Sequence, residues 1–200
     1  MIYSRVTAVV LAGGRSIRMG RNKALLKLGN KTMIERVVEP LQTIFENIII
    51  VTNMPKEYPM LKKVKFVSDC VDMEEKNSLV GLYSGLIESK TDHIFVIACD
   101  MPFINTKLSE YMVDLLQDED VIIPFVDGYY QPLYAIYGKR CIPEFEKLFQ
   151  RRWYKIIDAF QDLKIRKITR EEILELDSSM LCFENINTYD QYLQLKGVFD

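Results

Sequence analysis

Long apolar runs rich in β-branched residues recur along the first two-thirds of the chain. They are continuous, without the alternation expected of a sheet that has one face in water. Strands buried on both faces have this composition in parallel sheets covered by helices. The runs predict strands at residues 6–12, 48–52, 64–67, 94–98 and 121–125.

Helical periodicity occupies the segments between these runs. Apolar residues follow an i, i+3, i+4, i+7 pattern over 33–45, 79–87 and 108–116. Thr32 and Glu35 have the spacing of a capping box that would begin the first of these helices. The last third is less regular and predicts a strand at 133–137, a helix at 144–150 and a closing helix at 189–195.

Alternating strands and helices predict the α/β class with a mostly parallel sheet, arranged as a Rossmann-like three-layer α/β/α sandwich. No repeat, low-complexity tract or Pro/Gly/Ser linker interrupts the sequence. We therefore expect a single domain over residues 1–200.

Composition narrows the classes of partner. The 200 residues carry a formal net charge of -2, which argues against general binding to nucleic acid or anionic membranes. No apolar run reaches the length of a membrane helix, and the opening residues run straight into a strand, so we expect no signal peptide and a cytoplasmic protein. Four widely spaced cysteines predict reduced thiols: Cys70, Cys99, Cys141 and Cys182.

Paired glycines and a basic run follow the first predicted strand. Gly13 and Gly14 come directly after Ala12, where a backbone without side chains turns sharply and can approach a ligand. Ligands of open α/β sheets bind beyond the carboxyl ends of the strands. The segment matches neither the GxGxxG nor the GxxxxGK(S/T) phosphate motif, and a structural turn with a solvated basic loop is the alternative. Four cations suited to phosphate oxygens follow: Arg15, Arg18, Arg21 and Lys23.

The segment from Val9 to Leu28 resembles the signature LAGGxSxRMGxxKxLLxLxG of the molybdenum cofactor guanylyltransferases and their nucleotidyltransferase relatives. The motif is long and mixed in residue type, which makes it specific. The likeness covers most of the chain, densely in the first hundred residues and sparsely from about 138 to 180. It implies a fold of the nucleotide-diphospho-sugar transferase type, with a nucleotide-binding part at about 1–103 and an acceptor-binding part at about 104–200.

The resemblance assigns roles to the glycine-rich segment. It implies that Lys23 and Arg18 act on the triphosphate as catalytic residues. Many relatives have aspartate before this lysine, whereas this chain has Asn22, so an ion pair made there would be weakened. The resemblance also implies contacts with the nucleoside by Leu11, Ala12, Gly13 and Gly14.

A carboxylate ends the strand predicted at 94–98. From the residues alone, Asp100 could hold Mg²⁺, a hard cation that prefers oxygen ligands, or could cap the turn before Pro102. The segment 99–102, Cys-Asp-Met-Pro, resembles the family's CDxP motif. The resemblance therefore implies a catalytic Asp100 that binds the nucleotide through Mg²⁺, with Mn²⁺ as an alternative cation.

Three further positions resemble nucleotide contacts of the family. Asp69 matches a second acidic position, and Asn53 matches a strand-end residue that is otherwise most often a turn residue. Gly81 matches part of a GPLAG turn, although Ser78 and Leu79 replace its usual glycine and proline.

The acceptor side is less well defined. The segment 183–188 resembles the family's FxNxNT segment, and on a strand of period two Asn185 and Asn187 would point the same way. The usual Pro-Glu-Glu that follows is absent, and Asn-rich turns are common in any protein. Gln131 resembles a polar position on the same acceptor side.

The sequence contains one histidine, His93, at the start of an apolar run and so at the end of a strand opposite the predicted site. A histidine-based catalytic unit would have to use it. Nucleotidyl transfer needs no such base when the attacking group is an anionic phosphate, because catalysis then consists of positioning and charge neutralisation.

The resemblance implies transfer of GMP from GTP to molybdopterin, with release of pyrophosphate. Three alternatives remain open at this point: a cytidylyltransferase, a sugar-phosphate nucleotidyltransferase of the same fold, and a non-catalytic GTP-binding homologue. Expected partners are GTP and molybdopterin, together with proteins of cofactor synthesis and molybdoenzyme maturation.

Overall fold

The computed structural model describes residues 2–13, 22–71 and 77–199, with the backbone alone for 197–199. Its strands are β1 (Val6–Leu11), β2 (Lys27–Leu28), β3 (Lys31–Thr32), β4 (Ile48–Val51), β5 (Lys65–Val67), β6 (His93–Ala98), β7 (Val121–Val126), β8 (Tyr129–Tyr130), β9 (Tyr134–Gly138) and β10 (Ile165–Ile168). Its α-helices are α1 (Met33–Ile44), α2 (Ser78–Glu88), α3 (Thr106–Asp114), α4 (Ile142–Gln150), α5 (Arg170–Leu176) and α6 (Tyr189–Phe199).

One mixed sheet forms the centre of the fold, in the order β10-β7-β9-β6-β1-β4-β5, with the short β8 paired to β7. β1 lies parallel to both β4 and β6, and its Leu11 is opposite Val51 and Ala98. β9 runs antiparallel to β6 and β7, so these two share the direction of β1. The carboxyl ends of β1, β4, β5, β6, β7 and β10 therefore meet at one edge of the sheet.

Helices cover both faces of the sheet, because the apolar side chains of β1 alternate between them. Val10 packs in the core that contains residues of α1, α3 and α5. Val9 packs in the core that contains residues of α2 and α4. A smaller cluster joins the β2–β3 hairpin to α6 through Leu28 and Tyr192. The predicted three-layer α/β/α class is confirmed.

Local signals in the sequence account for the element boundaries. The capping box predicted for α1 is confirmed: the Thr32 side chain accepts from the Glu35 amide, and the Glu35 side chain accepts from the Thr32 amide. The helix predicted at 108–116 ends earlier, at Asp114. Several of the described elements were not predicted, among them the β2–β3 hairpin, β8, β10 and α5. None of the helices in the described ranges is long and apolar enough to cross a membrane.

Candidate functional site

The ends of β1 and β6 form the centre of the candidate site. Because these strands are parallel neighbours in register, Gly13 and Asp100 lie at the same edge of the sheet. The strand pairing continues past both ends: the Cys99 amide donates to the Leu11 carbonyl at 3.1 Å, and the Ala12 amide donates to the Val51 carbonyl at 2.9 Å.

Gly13 leaves open space at this edge. It is exposed, and a Cβ built on it would meet, among the described residues, the Val51 carbonyl oxygen at an ordinary 3.8 Å. The packing of the described residues therefore does not require glycine at this position. A bound molecule that approaches the backbone would explain it.

A lysine and an aspartate from distant segments pair beside this space. Lys23 Nζ lies 2.8 Å from Asp100 Oδ2, and their side chains are 13% and 23% exposed. Lys23 Nζ also donates to Asn187 Oδ1 at 3.3 Å. The Ile186 amide donates to the Asp100 carbonyl at 3.0 Å, which attaches the C-terminal segment to the end of β6. These contacts bring three predicted site residues together.

The expectation of a strand around Asn185 and Asn187 is wrong. Residues 184–187 join a 3-10 turn to α6 and pair with no strand of the described chain. Asn185 and Asn187 are nevertheless both exposed, because Ile186 between them is buried in the cluster that joins α6 to the β2–β3 hairpin.

A second polar pair lies on the other side of Gly13, at the ends of β4 and β5. Asn53 Nδ2 donates to Asp69 Oδ2 at 2.9 Å, and the Asp69 amide donates to Asn53 Oδ1 at 3.1 Å. The two residues hold each other in place at the edge that carries Gly13.

Gly81 has a packing role that the turn motif did not indicate. It lies in the first half of α2, and not in a turn, since Asn77 caps this helix by accepting from the Val80 amide. A Cβ on Gly81 would lie 3.2 Å from Leu11 Cδ2. The glycine thus allows α2 to approach β1, and Leu79, one of the altered positions of the motif, is fully buried in the core.

Asp100 and Asn187 are the described groups that could hold a metal ion. No group of three or more His, Cys, Asp or Glu side chains with suitable placement occurs within the described ranges. A carboxylate and an amide oxygen suit Mg²⁺, which uses few protein ligands and completes its shell with water and substrate phosphates. The residues present therefore fit this cation, provided that the substrate supplies the remaining oxygens.

Nucleophilic catalysis by cysteine has no support at this site. All four cysteines are free. Burial, and then the neighbouring Asp100 carboxylate, raise the pKa of Cys99 to about 12, so that its thiol stays protonated at neutral pH. His93 lies at the start of β6, the end opposite the site, as predicted, and its Nε2 lies 3.1 Å from the Glu119 carbonyl oxygen.

Two predicted site residues, Gly14 and Arg18, lie outside the described residues. Gln131 follows the β7–β8 hairpin at the same edge of the sheet as Asp100, and its amide donates to the Pro124 carbonyl at 3.0 Å. A contact of Gln131 with the acceptor stays a prediction.

A hydrogen-bond network behind Lys23 was not predicted. Asn22 Nδ2 donates to the Tyr58 hydroxyl at 2.9 Å and to the Glu57 carboxylate, and Asn22 Oδ1 accepts from the Ala24 amide at 3.1 Å. The Asn22 amide donates to the Glu57 carboxylate, a contact that an ionised aspartate at this position could not make. The departure of Asn22 from the family motif was the signal in the sequence.

Most of the chain resembles proteins of one known family. The model of the MobA-like NTP transferase domain matches residues 8–165. The chain belongs to this family. A probable molybdenum cofactor guanylyltransferase of Natranaerobius thermophilus is 37% identical over 194 residues, which cover 96% of this chain and 95% of the relative. A molybdenum cofactor guanylyltransferase of Desulfosudis oleivorans is 31% identical over 93% of this chain and 92% of its own length.

Solved structures extend the comparison to the fold. The molybdopterin-guanine dinucleotide biosynthesis protein A of Archaeoglobus fulgidus superposes with a TM-score of 0.81 at 25% identity, covering 96% of this chain and 98% of that one. The 4-diphosphocytidyl-2C-methyl-D-erythritol synthase of Anaerococcus prevotii, at 13% identity, shares the fold with a TM-score of 0.71 over 98% of this chain and 96% of its own. The predicted nucleotide-diphospho-sugar transferase type of fold is confirmed.

Proposed function

We propose that this protein is a molybdenum cofactor guanylyltransferase that transfers GMP from GTP to molybdopterin and releases pyrophosphate. The main support is the Lys23–Asp100 pair at 2.8 Å beside the exposed Gly13, in a chain that belongs to the MobA-like family. Relatives named guanylyltransferase match nearly the whole chain. Their names favour GTP as the nucleotide over CTP, and molybdopterin as the acceptor over a sugar phosphate.

In the proposed reaction, the terminal phosphate of molybdopterin attacks the α-phosphorus of GTP in line with the departing pyrophosphate. A phosphorus–oxygen bond forms between acceptor and α-phosphate as the bond to the β-phosphate bridging oxygen breaks. The attacking oxygen is already anionic, so no protein base has to remove a proton. The protein has to position two anions and neutralise their charge.

The charged pair supplies this neutralisation. Asp100 would hold Mg²⁺ with Asn187 and the substrate phosphates, and the bound cation would lower the repulsion between the reacting anions. Lys23 would donate to the phosphates that leave as pyrophosphate. Asn53 and Asp69, already bonded to each other at the ends of β4 and β5, would contact the nucleoside.

The acceptor would approach from the opposite side of Gly13. Asn187 lies next to Lys23, and Gln131 follows the hairpin at the end of β7, at the same edge as Asp100. We expect these residues to contact molybdopterin. A cytoplasmic location and contacts with cofactor-synthesis or molybdoenzyme-maturation proteins stay predictions.

The test is product formation with each nucleotide. The purified protein is incubated with molybdopterin, Mg²⁺ and GTP, CTP or UTP; pyrophosphate is quantified and the dinucleotide is identified by mass spectrometry. We expect the guanine dinucleotide to form fastest, and its formation to stop when EDTA removes the cation. The Asp100→Asn protein, purified in the same way, controls for contaminating enzymes. Preferred use of CTP or UTP, or GTP binding without any turnover, would contradict the proposal.

A further inference from the structure

One tyrosine contacts both flanks of the glycine-rich segment. Tyr58 is buried in the core at 1% exposure, and its ring stacks on Phe66 with centroids 6.4 Å apart. Its hydroxyl donates to the Ala12 carbonyl at 3.4 Å and accepts from Asn22 Nδ2 at 2.9 Å. Ala12 follows β1 and Asn22 precedes Lys23, so a single side chain links the strand end to the start of the lysine turn.

The Asn22 amide has a defined orientation in this network. Its Oδ1 caps the 3-10 turn Lys23–Leu25 by accepting from the Ala24 amide, and its Nδ2 carries two hydrogens for Tyr58 and Glu57. The reversed orientation would set two donors against each other at Ala24 and two acceptors against each other at Glu57. All its polar atoms are therefore engaged, and they fix the turn on which Lys23 stands.

We propose that Tyr58 and Asn22 are positioning residues that hold Lys23 against the end of β1, at the distance from Gly13 that nucleotide transfer requires; this inference rests on the proposed function. Burial raises the pKa of the Tyr58 hydroxyl, so it remains a hydrogen-bond donor across the neutral range. The core anchors the tyrosine, the tyrosine orients the asparagine, and the asparagine caps the turn.

The neighbour Glu57 explains why asparagine occupies position 22. An aspartate there would face the Glu57 carboxylate with a second negative charge and could not donate to it. Asn22 and Glu57 therefore form a matched donor–acceptor pair in this chain. Asn22→Asp should therefore lower kcat/KM by itself. Glu57→Gln in the same protein should reduce this loss, because the glutamine amide can donate in the other direction.

The first test is Tyr58→Phe, which removes one oxygen from a buried ring. Tyr3→Phe is the matched control, because Tyr3 is also buried and its hydroxyl donates to Asp114 at 2.8 Å, next to the amino end of β1. We expect kcat/KM for GMP transfer to fall about fivefold to a hundredfold in Tyr58→Phe, because both hydrogen bonds of the hydroxyl are lost, and to stay within twofold in the control.

A second background separates positioning from general destabilisation. When Lys23→Met has already removed the ammonium group, Tyr58→Phe should change kcat/KM less than twofold, because nothing remains to be positioned. An equal loss in both backgrounds, or a Tyr58→Phe enzyme within twofold of the parent, would overturn the proposal.

The remaining measurements do not depend on turnover. Hydrogen–deuterium exchange at the amides of Ala24 and Leu25 should be faster in Tyr58→Phe than in the parent, and unchanged in Tyr3→Phe. Unchanged exchange would count against the positioning role of Tyr58, even if GMP transfer is observed. Failure of the parent to use any nucleotide would reject the proposed function and leave the exchange result as the test of the hydrogen-bond network.

A rescue experiment tests the matched pair. Asn22→Asp should lower kcat/KM and accelerate exchange at Ala24. Adding Glu57→Gln should restore part of both losses, because the glutamine can donate to the aspartate while the single hydroxyl hydrogen of Tyr58 still faces two acceptors. A full-activity Asn22→Asp enzyme, or a double variant no better than the single one, would show that the pair has no role in setting Lys23.

Discussion

Replacing Lys23 with methionine should change metal binding and catalysis in opposite directions. Lys23 Nζ lies 2.8 Å from the Asp100 oxygen that we expect to face the cation. A divalent ion that binds without nucleotide must compete with this ammonium group. Lys23→Met keeps the length of the side chain, removes its charge, and should therefore strengthen metal binding while it slows GMP transfer.

The magnitude follows from the partial burial of the pair. Exposed ion pairs contribute about 0.2–1 kcal/mol, and hydrogen bonds to charged groups contribute about 1.5–3 kcal/mol. With side chains 13% and 23% exposed, Lys23 and Asp100 fall between these cases, at about 1 kcal/mol. The affinity for a divalent cation should therefore rise about fivefold. Without this ammonium group to stabilise the departing pyrophosphate, turnover should slow by about 10²–10³.

The assay is a titration of the nucleotide-free protein with Mn²⁺, with free Mn²⁺ measured by electron paramagnetic resonance. Lys31→Met is the control, because it removes the same charge from an exposed ion pair with Glu39. We expect tighter Mn²⁺ binding in Lys23→Met than in both the parent and the control. Equal affinity in Lys23→Met and Lys31→Met, or weaker binding in Lys23→Met, would refute the idea that lysine and metal share Asp100.

Four other substitutions test the site, the core and one ion pair. Asp100→Asn should lower kcat/KM in the pyrophosphate-release assay by about 10²–10³, and near-normal rates at saturating Mg²⁺ would reject its role. Gly13→Ala should raise the KM for GTP and leave the free energy of unfolding almost unchanged. Gly85→Ala, whose Cβ would lie 2.5 Å from a β1 valine, should lower the free energy of unfolding by about 1–3 kcal/mol in chemical denaturation. The reverse pattern would contradict both assignments. Burial raises the pKa of Glu172, but hydrogen bonds, the first from Arg166, outweigh it and lower this pKa from 4.5 to about 2. Its contribution to stability should thus be present above pH 4.5 and fall as the pH approaches 2, and a Glu172→Gln protein that loses stability just as steeply over this range would argue against the assignment.

The apolar runs predicted the central strands because those strands are buried on both faces. The weaker edge strand β10 (Ile165–Ile168) was missed, since the charged residues Arg166 and Lys167 at its centre break the apolar run. The helix that follows could have been predicted. Thr169 and Glu172 form a capping box of the same kind as Thr32 and Glu35, but few apolar positions follow it.

The candidate site depends on strand order, which a single sequence does not specify. The apolar runs predict strands that end just before Gly13 and Asp100, but only the adjacency of β1 and β6 brings those ends together. The contact of Asn187 with Lys23 joins residues 164 positions apart in the chain. Nothing in the sequence distinguishes Tyr58 from an ordinary core residue. Its polar role follows from the fold, which places its hydroxyl between Ala12 and Asn22.

The ion pair between Lys23 and Asp100 also explains why two charged side chains are tolerated at a partly buried site. Isolated charges of this kind would be destabilising, whereas the ion pair neutralises each with the other. Binding of a metal–nucleotide complex would exchange the partners, so that the carboxylate meets the cation and the ammonium meets the phosphates. Each charge keeps an opposite partner before and after the exchange. The site can therefore be preorganised for two anionic substrates, provided that the turn carrying Lys23 is held in place while its partner changes.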